Sequence, residues 1–322
     1  MSPDIICLGE MLVEIMRAEV GVPHIVPGTY KGPYPSGAPC IFIDSAARMG
    51  SPLGISTGFI GVIGDDDFGL ALKNKLEHDG VDVSQVVTDA KETTGVAFVQ
   101  YNEDGSRKFI FSAGAAGKTS PPHVQREYFS DVKCLHIMGS ALSISDSSKE
   151  ACYKAIKLAK EANPDVVISF DPNLRAEMMP IDEIIEICEP VLQETTVLLP
   201  SGEEAEMLAR SDGSEESCRK LLNMGPDMVV LKEGADGCRI FTDDTEEFVK
   251  SFHVKEIDPT GAGDSFGGAF MVGYLNGESI EDNALFANAV GALKVTSFGP
   301  MSDHTRSEVD EFIRSDMAGS LR

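Results

Sequence analysis

From residue 132 onward, short apolar runs and stretches of helical period take turns, and this rhythm constrains the fold more than any other feature of the chain. Strand-like runs fall at 134–138, 166–170, 197–199 and 228–231, with helical stretches at 145–162, 181–191 and 202–209 between them. Strands separated by helices cannot close as hairpins. They pair in parallel, with helices crossing over both faces of the sheet. In such a sheet, ligands sit beyond the carboxyl ends of the strands.

The N-terminal part is less regular. Residues 4–8 read as a buried strand ending at Gly9, 37–49 as a helix, 53–60 as a strand and 66–78 as a helix. Residues 11–31 alternate and carry Gly and Pro, which favours short strands. Runs at 95–101 and 107–112 flank Asn102-Glu103-Asp104-Gly105, a hairpin signal. A second β excursion is expected at 238–252, then three helical stretches. With no internal repeat, linker or composition shift, one domain over 1–322 is expected.

The formal net charge of -25 excludes some partners. Nucleic acid and anionic membrane both require clustered Lys and Arg. No apolar run reaches the 18 residues of a membrane span, and Glu10 and Glu14 interrupt the N-terminal apolar stretch, unlike a signal peptide. The seven cysteines are scattered without C-x-x-C, as in a reduced, cytoplasmic protein. The six histidines form no close metal-ligand pair.

The chemistry concentrates at 256–270. An apolar stretch around Val254 leads to a turn of Gly261, Ala262 and Gly263, and then to Asp264. Phe266, Ala269, Phe270 and Tyr274 follow at helical spacing, so the turn opens a helix. Backbone N–H groups at a helix N-terminus lack intrahelical partners and, with the helix dipole, hold an anion. A carboxylate in that turn would repel an anion, so it reads as a base for whatever attacks a phosphate. The bland alternative is a glycine turn with Asp as a helix cap. Gly267-Gly268, which permits close helix packing, makes the string more specific than that. A nicotinamide dehydrogenase is excluded, because Gly9-Glu10-Met11-Leu12 lacks G-x-G-x-x-G. Gly114–Thr119 imitates the tail of a phosphate-binding loop, but Ser112 stands in the place of its first Gly and Pro121-Pro122 bars a smooth helix start.

The string D-P-T-G-A-G-D-S-F-G-G-A-F from Asp258 resembles the C-terminal signature of the PfkB family, the ribokinase-like carbohydrate kinases. The resemblance implies an α/β protein, a ribokinase-like three-layer α/β/α sandwich with a mostly parallel central sheet. A small β-sheet lid would come from about 11–35 and 92–115. It implies ATP and Mg2+ as cofactors and phosphoryl transfer to a sugar hydroxyl. Asp264 is then the catalytic base, and Gly261, Ala262 and Gly263 form the anion hole. Lids of this kind pair between subunits, which implies a homodimer.

Other matches extend the resemblance along the chain. Asp171, Asn173 and Arg175 match D-x-N-x-R, near sugar and transferred phosphate. Glu204 matches the Glu of N-x-x-E, which positions Mg2+ through water; Ser201 stands in place of Asn. Lys232, Gly234 and Gly237 match K-x-G-x-x-G near the nucleotide phosphates, and Asn288 matches the wall of the adenine pocket. Asp258 and Thr260, with the 299–302 loop, match a monovalent-cation site, implying K+. Ser36-Gly37-Ala38-Pro39 resembles the sugar-binding G-G-A-P, with Ser36 replacing the first Gly and Ile41 replacing an Asn. Glu14 lies where an acid grips sugar hydroxyls, and Arg107 could face a charged substrate. Thr94-Gly-Val-Ala-Phe-Val99 resembles the ketohexose kinases, so tagatose or fructose is expected. Ser201 points to 2-keto-3-deoxygluconate as the alternative. A non-catalytic sugar or nucleotide sensor is the reading of another class.

Overall fold

The computed structural model describes residues 2–103 and 106–320. The chain begins with β1 (Ile5–Leu8), β2 (Leu12–Arg17) and β3 (Tyr30–Ser36), then α1 (Ala38–Gly50), β4 (Thr57–Gly64), α2 (Asp67–His78) and β5 (Val81–Asp89). β6 (Gly95–Tyr101) and β7 (Arg107–Ser112) precede β8 (Cys134–Met138), α3 (Gly139–Ser143), α4 (Asp146–Ala162), β9 (Val167–Asp171) and α5 (Ile181–Leu192). β10 (Val197–Leu198), α6 (Gly202–Ala209), α7 (Ser214–Leu222), β11 (Met228–Lys232), β12 (Gly237–Phe241) and β13 (Glu246–Lys250) follow. α8 (Ala262–Leu275), α9 (Ile280–Lys294) and α10 (Arg306–Ser320) complete it.

The central sheet has nine strands in the order β13-β12-β11-β10-β9-β8-β1-β4-β5. β5 through β11 run parallel, while β12 and β13 extend the sheet as antiparallel strands. Alternation of side chains explains the three layers. In β1, Ile5 and Cys7 join one buried cluster with α1, α8 and α9, while Ile6 and Leu8 join a second with α4, α5 and α6. β8 divides in the same way, Cys134 and Met138 against Leu135 and Ile137. Strands apolar on both faces need helices on both faces. Gly268 lets α8 close on α1, since a Cβ there would lie 2.4 Å from the Phe42 carbonyl oxygen.

A second sheet orders its strands β3-β2-β6-β7. β2 and β6 are parallel and the outer pairs antiparallel. The hairpin signal between β6 and β7 includes Asp104 and Gly105, which lie outside the described residues.

Two early segments differ from expectation. The strand expected at 53–60 runs instead over Thr57–Gly64, because Pro52 and Gly54 (φ 77°) hold 51–54 in a 3-10 turn. The edge strand β5 and the amphipathic α7 were not anticipated; polar residues break up the apolar run of each.

Candidate active site

The glycine turn opens α8 as its sequence requires. Gly261 is the helix N-cap at φ 79°, and a Cβ there would stand 2.1 Å from the Pro300 carbonyl oxygen. Only glycine fits both conditions. Ala262 N–H makes a long 3.3 Å bond to Pro259 O, and Ser265 N–H begins the helical ladder on Gly261 O. Gly263 and Asp264 therefore present their N–H groups at the mouth of the helix. The Lys232 ammonium stands over this mouth, 3.6 Å from where a Cβ of Gly263 would be.

Asp264 is 9% exposed, and Asn173 Nδ2 approaches its Oδ1 at 3.5 Å. Burial pushes its pKa upward, while Lys232, Arg175 and Arg107 pull it back. Those are opposing influences suited to a group that takes up a proton.

The carboxyl ends of three neighbouring strands supply its surroundings. Asp171 ends β9 and accepts from Lys232, at the end of β11, at 2.6 Å. Burial opposes the Lys232 charge, but Asp171, Glu204 and Asp264 outweigh it and raise its pKa. Asn173 adopts φ 38°, a left-handed conformation that Asn tolerates, with its N–H bonded to Asp171 Oδ1 at 3.1 Å. Its own Oδ1 is buried without a partner. Beyond β10, Glu204 Oε2 accepts from Ser201 N–H and Oγ–H, both at 2.8 Å, and Oε1 accepts from Leu174 N–H at 3.0 Å. Burial works to raise the Glu204 pKa, but Lys232 and these bonds hold it low. Ser201 thus serves as the cap of α6 while Glu204 faces the site.

One cavity of about 400 Å³ is lined by Glu10, Glu14, Gly37, Ala38, Arg107, Asn173, Arg175 and Asp264. Glu14 is fixed by Ser36, whose hydroxyl donates to Oε1 at 2.7 Å. Glu14 Oε2 and Glu10 Oε2 are buried without partners. Burial raises both carboxyls to about 7, against the pull of Ser36 and Arg107 on Glu14 and of Ser140 and Arg175 on Glu10. Gly37 (φ 105°) is required because a Cβ would meet Glu10 O at 2.4 Å. Arg107, from β7, donates to Thr260 Oγ1 at 3.1 Å.

A second, more apolar cavity of about 330 Å³ lies beside the first and shares Lys232, Gly234, Pro259 and Gly263 with it. Gly237, Phe252, Val254, Phe266, Asn288 and Val295 line the remainder. Asn288 is a wall residue tied by Nδ2 to Val249 O at 2.9 Å. Gly237 is needed for packing, since a Cβ would lie 2.2 Å from Val249 O.

Asp258 and Thr260, the residues expected at a cation site, lie in a dense hydrogen-bond network. The Asp258 carboxylate is already satisfied by Thr260 N–H, Tyr101 Oη–H and Gly299 N–H, at 3.0, 3.0 and 2.9 Å. Its carbonyl oxygen accepts from the Lys294 ammonium at 2.9 Å. A protein cation therefore bonds the main chain of the residue expected to hold K+. Glu10, Ser36 and Lys294 were not among the sequence candidates. Glu10 was detectable two residues beyond β1, whereas Lys294 ends an ordinary helix and gave no signal.

Comparison with known proteins gives the family. Residues 2–306 match the family described as pfkB family carbohydrate kinase. Probable fructokinase-5 of Arabidopsis thaliana is 33% identical, covering 92% of this chain and 93% of its own length. Fructokinase-2 of Solanum lycopersicum is 32% identical, covering 92% and 91%. A candidate ribokinase II from E. coli, solved with ATP and Mg2+, superposes with TM-score 0.89 at 39% identity over 98% of this chain and all of its own. The chain belongs to the pfkB family of carbohydrate kinases and is an ATP-dependent sugar kinase.

Proposed function

We propose that this kinase phosphorylates a neutral ketohexose, fructose or tagatose, with Asp264 as the base. The observation that carries the reading is the place of Asp264 and the 261–263 turn, where the polar and the apolar cavity meet. The sugar occupies the polar cavity. Adenine lies in the apolar one against Asn288, and the phosphates pass Lys232, Gly234 and Gly237. Asp264 takes the proton of the attacking hydroxyl. A bond forms from that oxygen to the γ-phosphorus while the bond to the β-phosphate oxygen breaks, and ADP leaves with those electrons. The 261–263 turn and Lys232 face the charge that spreads over the transferred group. Arg175 stands ready for the same oxygens.

Mg2+, when bound, neutralises the β- and γ-oxygens. Among the described residues no cluster of three or more ligating side chains exists, which fits an ion held by phosphates and water. Glu204, held charged by Lys232 and its hydrogen bonds, would receive its waters together with Asp171.

Fructokinase names among the relatives support the ketohexose. So do Glu10 and Glu14, whose free acceptor oxygens suit hydroxyl groups and oppose a second carboxylate. The alternative, 2-keto-3-deoxygluconate, draws support from Arg107 and Arg175, but Arg107 is already engaged by Thr260. ADP release measured over a panel of ketohexoses, aldohexoses and sugar acids tests the reading. Fructose or tagatose should give the highest kcat/KM, and a preference for sugar acids overturns it.

We propose further that the four-stranded sheet acts as a lid and pairs two subunits. Phe98 and Ile110 face each other across β6 and β7 and both are exposed. Sedimentation should give a dimer, with Ile110→Lys shifting it to monomer. Among the described residues no helix is long and apolar enough to cross a membrane, and seven free buried cysteines support a reducing, cytoplasmic setting.

A further inference from the structure

Lys294 is buried completely, yet among the described residues it forms no ion pair with a carboxylate. Its ammonium donates to two main-chain carbonyls, Asp258 O at 2.9 Å and Ser297 O at 3.5 Å. A buried charge is costly unless its surroundings compensate it. Carbonyl oxygens from two loops are the compensation a protein gives a bound monovalent ion, and here two of them accept from an ammonium on a stem.

The two loops so joined are the ones that shape the glycine turn. Ile257 and Asp258 N–H both donate to Val295 O, at 2.7 and 3.1 Å. Gly299 N–H returns to Asp258 Oδ2. Gly261 rests on the Pro300 carbonyl, so a shift of the 295–300 loop moves the turn that precedes Asp264. Burial lowers the Lys294 pKa to about 8, while Asp258, Glu14 and Asp264 act to keep the charge. The ammonium therefore sits within the electrostatic reach of the site without lining either cavity.

We propose that Lys294 is a tethered cation that takes the place of a dissociable monovalent ion, holding the 257–261 and 295–300 loops together and making the kinase independent of K+. Lys294 is a positioning residue, and its role rests on the reading of the 261–263 turn as the phosphoryl site. A tethered ion has no dissociation step, so neither its occupancy nor the geometry of the turn varies with the ions in solution.

The test exchanges KCl for choline chloride at constant ionic strength, which removes the general salt response of an acidic protein. In the wild type, turnover and Tm should agree within twofold and within one degree, on the order of experimental error, between the two salts. Activation by K+ of about fivefold or more overturns the proposal. The variant Lys294→Ala opens the carbonyl cage. Its turnover should fall about tenfold or more in choline and recover in K+ or NH4+, with a Tm that now rises with K+ but not with choline. Wild-type turnover of Lys294→Ala in choline overturns the proposal, and so does a loss that no ion restores. If the variant does not fold, the wild-type salt exchange decides alone. Absence of turnover in the wild type under every salt would instead count against the phosphoryl-site reading, and the Tm comparison would still report on the cation.

Discussion

The phenol of Tyr101 donates to Asp258 Oδ1 at 3.0 Å, and so fastens the last residue of β6 to the loop that carries the glycine turn. Arg107 makes a second tie from β7, to Thr260 Oγ1. The small sheet is therefore bonded directly to the turn that presents Asp264. Removing the phenol hydroxyl leaves a fully buried carboxylate one donor short, which costs about 1–3 kcal/mol. Tyr101→Phe should weaken the tie more than the chemistry. The expected result is a sugar KM raised roughly tenfold with kcat lowered about threefold or less, a division that holds KM apart from kcat as interactions outside the reacting atoms do. Equal losses in both parameters would place Tyr101 in the chemical step instead.

Asp264→Asn keeps the size of the side chain and its contact with Asn173, and removes only the ability to take a proton. Turnover should fall about a hundredfold or more, while a non-hydrolysable ATP analogue binds within about threefold of wild type by calorimetry. Near-normal turnover would remove Asp264 from the role of base.

Lys232 is the only cation whose ammonium bonds Asp171 in the described structure, and Asp171 is 1% exposed. Lys232→Met should therefore do two separable things. It leaves a buried carboxylate unpaired, costing about 3–5 kcal/mol, and it removes a positive charge from the phosphate path. The double variant Lys232→Met/Asp171→Asn relieves the first defect and not the second. Denaturant titration should show stability largely recovered in the double variant while turnover stays low. Recovery of both would make the pair purely structural.

Much of this architecture was legible in the sequence because the responsible forces are local. The parallel sheet followed from strand–helix alternation, the turn at 261–263 from glycine chemistry, and the close approach of α8 to α1 from Gly267-Gly268. What was not legible depends on residues brought together from afar. Ser36 read as a departure from a glycine, and only the fold shows its hydroxyl orienting Glu14, which lies on another strand. Asp258 read as a cation ligand, and only the fold shows Lys294, 36 residues later, reaching its carbonyl. β5 was missed because an edge strand buries one face only, so Val81, Val83 and Val86 stand among polar neighbours.

The raised carboxyls of Glu10 and Glu14 have a pH consequence of definite sign. Each has a folded pKa of about 7 against an ordinary value of 4.5, chiefly through burial. Between those values the folded state holds more protons than the unfolded state, so stability falls as pH rises. The contribution is complete below pH 4.5 and is lost as pH passes 7. The whole chain also grows more acidic over that range, so the effect has to be read by difference. Glu14→Gln mimics the protonated side chain and cannot ionise. It should match the wild type near pH 5 and exceed it at pH 8, by an amount on the order of 2–3 kcal/mol for a shift of this size. Denaturant midpoints at the two pH values, without sugar present, make the comparison. A constant difference between variant and wild type across that range would mean that Glu14 is already ionised in the folded protein at pH 5, and the hydroxyl-binding cavity would then carry a fixed negative charge.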